Sequence, residues 1–522
     1  NARVNQDAID VGLITIGITE LKAFAQGDFA SYIDGSELHA GSLEVKNVYT
    51  SHANAVAAQP GLGIGVEAIS GEGNYAHADA ATNARAYIRN SNITISNNGG
   101  VTVGTIGTVK ANAVVESPTI SVTGVEVAVS IAEASLSAVQ QAYVYGGSIV
   151  AKGLVKIYSW QNIDNETTGA VASLGNNTGG ADVSLVGAAA NTANATANAT
   201  NLAYVTGTNF GSLAQKNGNL YIEAKANSYA KAGFIDNDVN VSLVGLGILV
   251  MTADAKGTFK AWLDSTGSNV YVANLSITNT YKAISEAKST QPGKGVGVSL
   301  VDGDVNLAEA TTSTNASSYI TGDGTVNAAG ITIQVTGSGS RAKADVDAAK
   351  VSVSLAKVAA NIARASLKVT QNAFINGQGR VNATGPVSVL SILQDTYSEA
   401  EAGANGGTDV TIATADANLT TAESAATVNA YIEGNVTIVT QGEVNVGADL
   451  GGTVISKSQA PDTSVTLLSL GVVKVIAAFT QDTVSAWIAG QANVTGRSVD
   501  VIAGASGTAT AIAEQPNTTV SL

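Results

Sequence analysis

Val351, Val353 and Leu355 alternate with Ser352 and Ser354, and the same apolar-polar alternation returns at Val183/Leu185, Val296/Val298/Leu300 and Val465/Leu467. A second alternation recurs later in the repeat, at Val155/Ile157, Ile331/Ile333, Val387/Val389, Val444/Val446 and Val499/Val501. A period of two, bounded by Gly and Asn, predicts strands rather than helices. Between the two lies a stretch of small residues, such as Ala-Asn-Ala-Thr-Ala-Asn-Ala-Thr over 193–200. Alternating small apolar and short polar residues fit a strand with one face against a tight core. The Ala-rich piece over 356–367 could be helical in isolation, but its counterparts elsewhere are Asn/Thr-rich, so strand is predicted there too.

The alternations are phased by a five-residue pattern, [Ala/Ser]-aromatic-[Ile/Leu/Val]-x-[Gly/Asn/Ser]. Its aromatics are Tyr32, Tyr87, Tyr143, Tyr204, Trp262, Tyr319, Phe374, Tyr431 and Trp487, with gaps of 55, 56, 61, 58, 57, 55, 57 and 56 residues. A fixed period marks a stacked array in which each unit buries its neighbour. Prolines fall into the same phase: Pro60, Pro118, Pro292 and Pro461 stand 27, 25, 27 and 26 residues before their aromatics, and Pro516 occupies the equivalent place in the next unit. Proline cannot donate to a strand ladder, so these residues are expected at one corner of the stack. Pro386 sits at a second turn signal, Thr384-Gly385-Pro386.

Together these features predict an all-β fold, a parallel β-solenoid (β-helix) of nine repeats of 55–61 residues, running as one continuous array over residues 1–522. No sub-period near 19 residues is visible, which favours one broad coil per unit over three short rungs. Nine single coils would stack to roughly 43 Å, and three-rung units to roughly 130 Å.

Composition agrees. Only 13% of residues are charged and 5% aromatic, so small residues must pack a thin, repetitive core. The net charge of −15, with Lys and Arg scattered, lacks the basic footprint that nucleic acid or an anionic membrane requires. The plainer meaning of this acidity is solubility of a long, mildly hydrophobic array. There is no Cys, which excludes disulfides and thiolate metal sites. The most apolar stretches, residues 239–253 and 465–479, are shorter than a spanning helix and alternate like strands, so no membrane insertion is expected. The chain begins at Asn1 rather than Met, which reads as the start of a processed or excised segment.

Candidate chemistry is sparse. Residues before and after each aromatic are small or branched aliphatic and look like core, which would point the aromatics outward as a ladder beside a turn. Asp164-Asn165-Glu166, Asp236-Asn237-Asp238 and Asp302-Gly303-Asp304 carry enough oxygen to consider Ca²⁺. None matches an EF-hand or a Gly-Gly-x-Gly-x-Asp roll, and solvated turns are the plainer reading. His39, His52 and His77 lack ligand spacing. No nucleophile elbow, phosphate loop or dinucleotide fingerprint is present, and no catalytic residue, cofactor or metal is assigned. A polysaccharide-cleaving site would need paired carboxylates on inserted loops. The two modest insertions, between Tyr143 and Tyr204 and over 209–218, do not supply them. Asn-x-Ser/Thr sequons at Asn92, Asn240, Asn315, Asn382, Asn435 and Asn493 make glycosylation chemically available.

The Val-x-Val opening, Ala-Tyr-Ile-x-Gly centre, second Val-x-Val and Ala-rich acidic tail resemble the repeats of giant bacterial surface proteins of the leukotoxin-type filamentous adhesin kind, and more broadly haemagglutinin-like β-solenoid exoproteins. The resemblance implies a secreted, cell-surface, non-enzymatic shaft engaged in attachment or fibre formation, with a glycan or host-cell surface as partner. A carbohydrate-binding or polysaccharide-degrading β-helix is the alternative. Val11 opens a first unit and Val520-Ser521-Leu522 a tenth, so open strand edges are expected to support head-to-tail self-association into filaments.

Overall fold

A computed structural model describes residues 2–5, 9–58, 63–116, 119–175, 181–235, 239–290, 296–347, 351–403, 408–459, 463–514 and 518–521. Every element in it is a β-strand, and every strand pairing is parallel. The chain winds as a parallel β-solenoid with one coil per repeat, so the axial rise of about 4.8 Å per coil gives the shorter of the two expected lengths. The five phased prolines, Pro60, Pro118, Pro292, Pro461 and Pro516, lie outside the described residues, as does Asp236-Asn237-Asp238.

Each coil has three sides. In the fifth, a long strand (Val239–Asp264) is followed by a short one (Asn269–Tyr271) and a return strand (Asn274–Thr290). The long strands stack in one sheet, the short strands in a second and the return strands in a third. Register is held residue for residue: Ala203 pairs with Ala261 and Ala142, and Tyr204 with Trp262 and Tyr143.

The repeated Gly of the aromatic pattern is explained by the turn from the long to the short strand. Gly35, Gly146, Gly207, Gly322, Gly377, Gly434 and Gly490 all have positive φ, between +59° and +121°. This left-handed region is open to Gly, and to Asn more readily than to other residues. The unit that lacks Gly has Asn90 at φ +47°, and where Ser265 replaces it the positive φ moves to Gly267.

The interior is divided along each coil. Near the short strands the core is Val, Ile, Leu and Phe, with Ile88, Ile149, Phe210, Leu263 and Ile277 fully buried. Farther along the long and return strands it is almost all Ala, as at Ala78, Ala111, Ala195, Ala253 and Ala310. A buried polar band lies between them. Gln140 donates to Thr105 O (3.1 Å) and Trp160 O (2.8 Å) while accepting from Tyr49 Oη (3.0 Å). Gln371 repeats the device, donating to Val335 O (3.2 Å) and Ser391 Oγ (3.0 Å) and accepting from Tyr281 Oη (2.7 Å). Such buried amides must be satisfied, and these tie the long-strand and return-strand sheets together across the band.

Candidate functional site

The outward face of the long-strand sheet carries two longitudinal features. The first is the aromatic series. The residues flanking each central aromatic, such as Ala86 and Ile88, or Ala261 and Leu263, are fully buried. Alternation therefore sends the ring to the other face. The nine rings stack in an unbroken column from Tyr32 to Trp487, adjacent planes tilted by only 2–5°. Centroid separations run from 4.1 Å (Tyr204–Trp262) to 5.8 Å (Trp262–Tyr319). Stacking at the strand spacing buries ring faces against one another, and burial pushes the Tyr204 and Tyr319 hydroxyls up to about 12.

The second feature is the opening of each long strand. In the fifth coil the apolar phase switches at Leu243: Val241 and Leu243 are followed by Val244, Leu246 and Ile248. The ladder omits this register position (Leu13, Leu185, Leu243, Leu300 and their equivalents) in each pair of coils. This is a sharp bend repeated in register through the stack: a Cβ at Gly187 or Gly245 would stand 2.9 Å from the Oγ of Ser184 or Ser242, three residues back. It brings both apolar sets to the outside, where Val241, Leu243, Leu246 and Ile248 are 37%, 42%, 53% and 53% exposed.

The inner side of the bend is polar. Thr123 Oγ1 reaches Glu126 Oε2 (3.3 Å), and Lys357 Nζ reaches Ser352 Oγ (3.4 Å) and stands 3.8 Å from Asp409. Asp302-Gly303-Asp304 belongs here, in mid-strand rather than in a solvated turn. Burial raises the Asp302 and Asp416 carboxyls above their usual range; Lys357 opposes the shift and the neighbouring Asp409 adds to it. Among the described residues no group of three or more His, Cys, Asp or Glu is arranged to hold a metal ion.

The insertions are spliced in without breaking the sheet. In the third coil the return strand is interrupted between Val155–Gln161 and Ala170–Gly175. The side chain of Asn162 stands in for missing backbone, accepting from Val109 N (2.8 Å) and donating to Val109 O (3.3 Å). Asn217 does the same in the fourth coil, between Ala151 N (3.0 Å) and Ile149 O (2.8 Å). Asp164-Asn165-Glu166 lies in the first insertion, where Asn165 caps Thr167 and Glu166 pairs with Lys282.

Beside that insertion, sequence reasoning missed a surface cluster. Tyr158 and Trp160 lie 4.5 Å apart between ring centroids, with Lys156 Nζ 4.6 Å from the Trp160 ring. Glu223 accepts from Trp160 Nε1 (3.2 Å) and pairs with Lys156 (3.1 Å) and Lys225 (2.6 Å). Burial pushes the Glu223 carboxyl up, but the two lysines outweigh it and hold it below the ordinary range. The only sequence signal is a rare Trp beside a Tyr in a chain with three Trp. Of the histidines, His77 sits on the outer face 3.3 Å from Glu133, His39 is 3.4 Å from Glu37, and His52 is exposed.

No helix of the described residues is long and apolar enough to cross a membrane. No family model matches the chain, and neither a curated protein nor a solved structure matches it.

Proposed function

We propose that the chain is a structural, non-enzymatic shaft of an extracellular filament or giant cell-surface adhesin, of the kind its repeats resemble. The observation that carries this reading is the uninterrupted aromatic column over nine coils. A catalytic coil departs from its neighbours, because a reacting centre needs side chains that the repeat does not supply. Here even the two insertions are bridged by Asn amides, so stacking continues through them. Coil-to-coil hydrogen bonding is indifferent to which chain supplies the next coil, and head-to-tail joining of copies follows from the same pairing. Electron micrographs of the native material test the proposal: rods with an axial repeat of about 4.8 Å on the outer surface of cells support it, and discrete cytoplasmic particles refute it.

The Trp160 cluster favours a second reading, in which the shaft contacts glycans. An aromatic face beside fixed charges suits the apolar face and hydroxyls of a sugar ring. A glycan array that loses its signals with Trp160→Ala would support this reading. An array on which wild type and variant are alike, or both silent, would reject it.

A further inference from the structure

The inside of the repeated bend encloses a lysine among carboxyls. One register column there runs through Gly187, Gly245, Asp302, Lys357 and Thr414 in successive coils. In the seventh coil this position is Lys357, whose Nζ donates to Ser352 Oγ (3.4 Å) and stands 3.8 Å from Asp409 Oδ1 on the eighth coil. Asp302 precedes Lys357 in the column, and Asp416 lies two residues beyond Thr414. Ser352, Ser354, Thr411 and Thr414 on the same two coils are all buried.

The Lys357–Asp409 pair is more enclosed than its counterparts on the sheet surfaces. The two side chains are 12% and 15% exposed, against 24% for Lys282 and 25% for Lys156 in their own pairs. Asp409 Oδ1 is buried and accepts no hydrogen bond, because 3.8 Å is too long for one. Two ionised groups held out of water make a costly pair unless hydrogen bonds satisfy them. Joining them as an amide removes both charges.

We propose that Lys357 and Asp409 condense to an intramolecular amide that staples the seventh coil to the eighth. Nζ attacks Cγ of Asp409, so a C–N bond forms and one C–O bond breaks. The freed oxygen leaves as water with two of the three ammonium protons, and the third stays on the amide nitrogen. No atom is oxidised or reduced, and no co-reactant is needed. Strand register holds the two groups together for as long as the coils are stacked, which is the proximity such a step requires. The flexible lysine stem closes the remaining gap to a near-attack distance of about 3–3.5 Å. Proton transfer falls to Asp302 and Asp416, whose carboxyls burial holds above their usual range. Such a carboxyl gives a proton to the departing oxygen and takes one from the ammonium. The chain has no Cys, and an amide here restrains the unfolded chain as a disulfide would. The link lies within one chain and does not depend on the shaft proposal.

The test is the mass of the intact full-length chain after unfolding, joined to a tryptic peptide map. The wild type weighs one water less than its sequence. Its map contains a branched peptide that joins the segments around Lys357 and Asp409, with no cleavage after Lys357. Lys357→Arg keeps the charge but forms no such amide, so it shows the full sequence mass with an unchanged strand signal in circular dichroism. Asp409→Ala also keeps the full mass. Asp416→Asn, followed in freshly synthesised chain, loses the water about 100-fold more slowly than wild type. A folded wild type that keeps its full mass through prolonged storage overturns the inference. A water lost equally by Lys357→Arg overturns it too, and assigns the loss to a cyclised Asp-Gly step such as Asp302-Gly303. An Asp416→Asn rate equal to that of wild type overturns the proton transfer assigned to that carboxyl.

Discussion

Gly337→Ala offers the sharpest test of how the buried polar band holds the coils. In an ordinary strand, replacing Gly by Ala helps by about 0.5–1 kcal/mol, because the unfolded chain loses freedom. Here the Tyr281 ring of the preceding coil lies across Gly337. A Cβ at that position would stand 2.6 Å from Tyr281 Cζ and Oη and 2.7 Å from Leu393 Cδ1. The ring crosses that glycine to reach Gln371, giving a 2.7 Å hydrogen bond between side chains 90 residues apart. Overpacking costs about 1–3 kcal/mol. Displacing the ring strands the buried Gln371 carbonyl for about 1–3 kcal/mol more. The two costs sum to about 2–6 kcal/mol, so after the generic gain is subtracted a net loss of about 1–5 kcal/mol is expected, opposite in sign to the generic effect. Tyr281→Phe, which keeps the ring, should lose only the second part.

Repeat arrays need not unfold in one step, so hydrogen exchange is the suitable assay. Amides of the return strands Asn274–Thr290, Gly330–Ser338 and Val387–Gly403 should exchange about 5- to 4,000-fold faster, at 1.4 kcal/mol per decade. The remote return strand Leu43–Ala58 should be unaffected, because each coil contacts chiefly its neighbours. Unchanged or slower exchange in the first three strands would refute the reasoning. The equivalent Tyr49–Gly107–Gln140 group predicts the same for Gly107→Ala at the other end of the stack.

Other consequences follow from the same geometry. Trp262→Ala removes two stacked pairs at about 0.5–1.5 kcal/mol each, so local stability around the fifth coil should fall by about 1–3 kcal/mol, read by exchange in Val239–Asp264. Gly322→Ala, at φ +105° with Thr266 N 2.5 Å from the new Cβ, should lower the melting temperature more than Gly35→Ala, which has φ +59° and open space. Asn162→Ala leaves Val109 N and O without their partner and should open the third coil by about 1–3 kcal/mol, measured as local proteolysis near 162–169. Asp302 and Asp416 have raised carboxyl pKa values in the folded chain. Their protonation therefore contributes stability that is full below the ordinary Asp range and lost as pH rises through the raised values. Exchange in the long strands Val296–Thr321 and Thr408–Gly434 should quicken over that rise, and Asp302→Asn with Asp416→Asn should flatten the profile.

The strand nature, the period, the broad coil and the turn at each Gly were legible in the sequence, because they are local: alternation and φ preference act within a few residues. The Tyr–Gly–Gln groups were not legible, since their members are separated by one and two coils and meet only when register is fixed. The Asn splices were equally hidden, as an Asn in a loop does not announce that it replaces backbone.

The most instructive divergence concerns the most apolar stretches, 239–253 and 465–479. Hydropathy ranks them as the natural core, yet their openings lie on the outside, while strands of alanine fill much of the interior. The sequence by itself determined that coils would stack, because identical units leave each strand only a neighbouring strand to satisfy its backbone. Which face of each long strand's opening lies outside was decided by tertiary structure: a sharp bend at one unpaired residue shifts the side-chain phase by one residue, and the return strand covers only part of each coil.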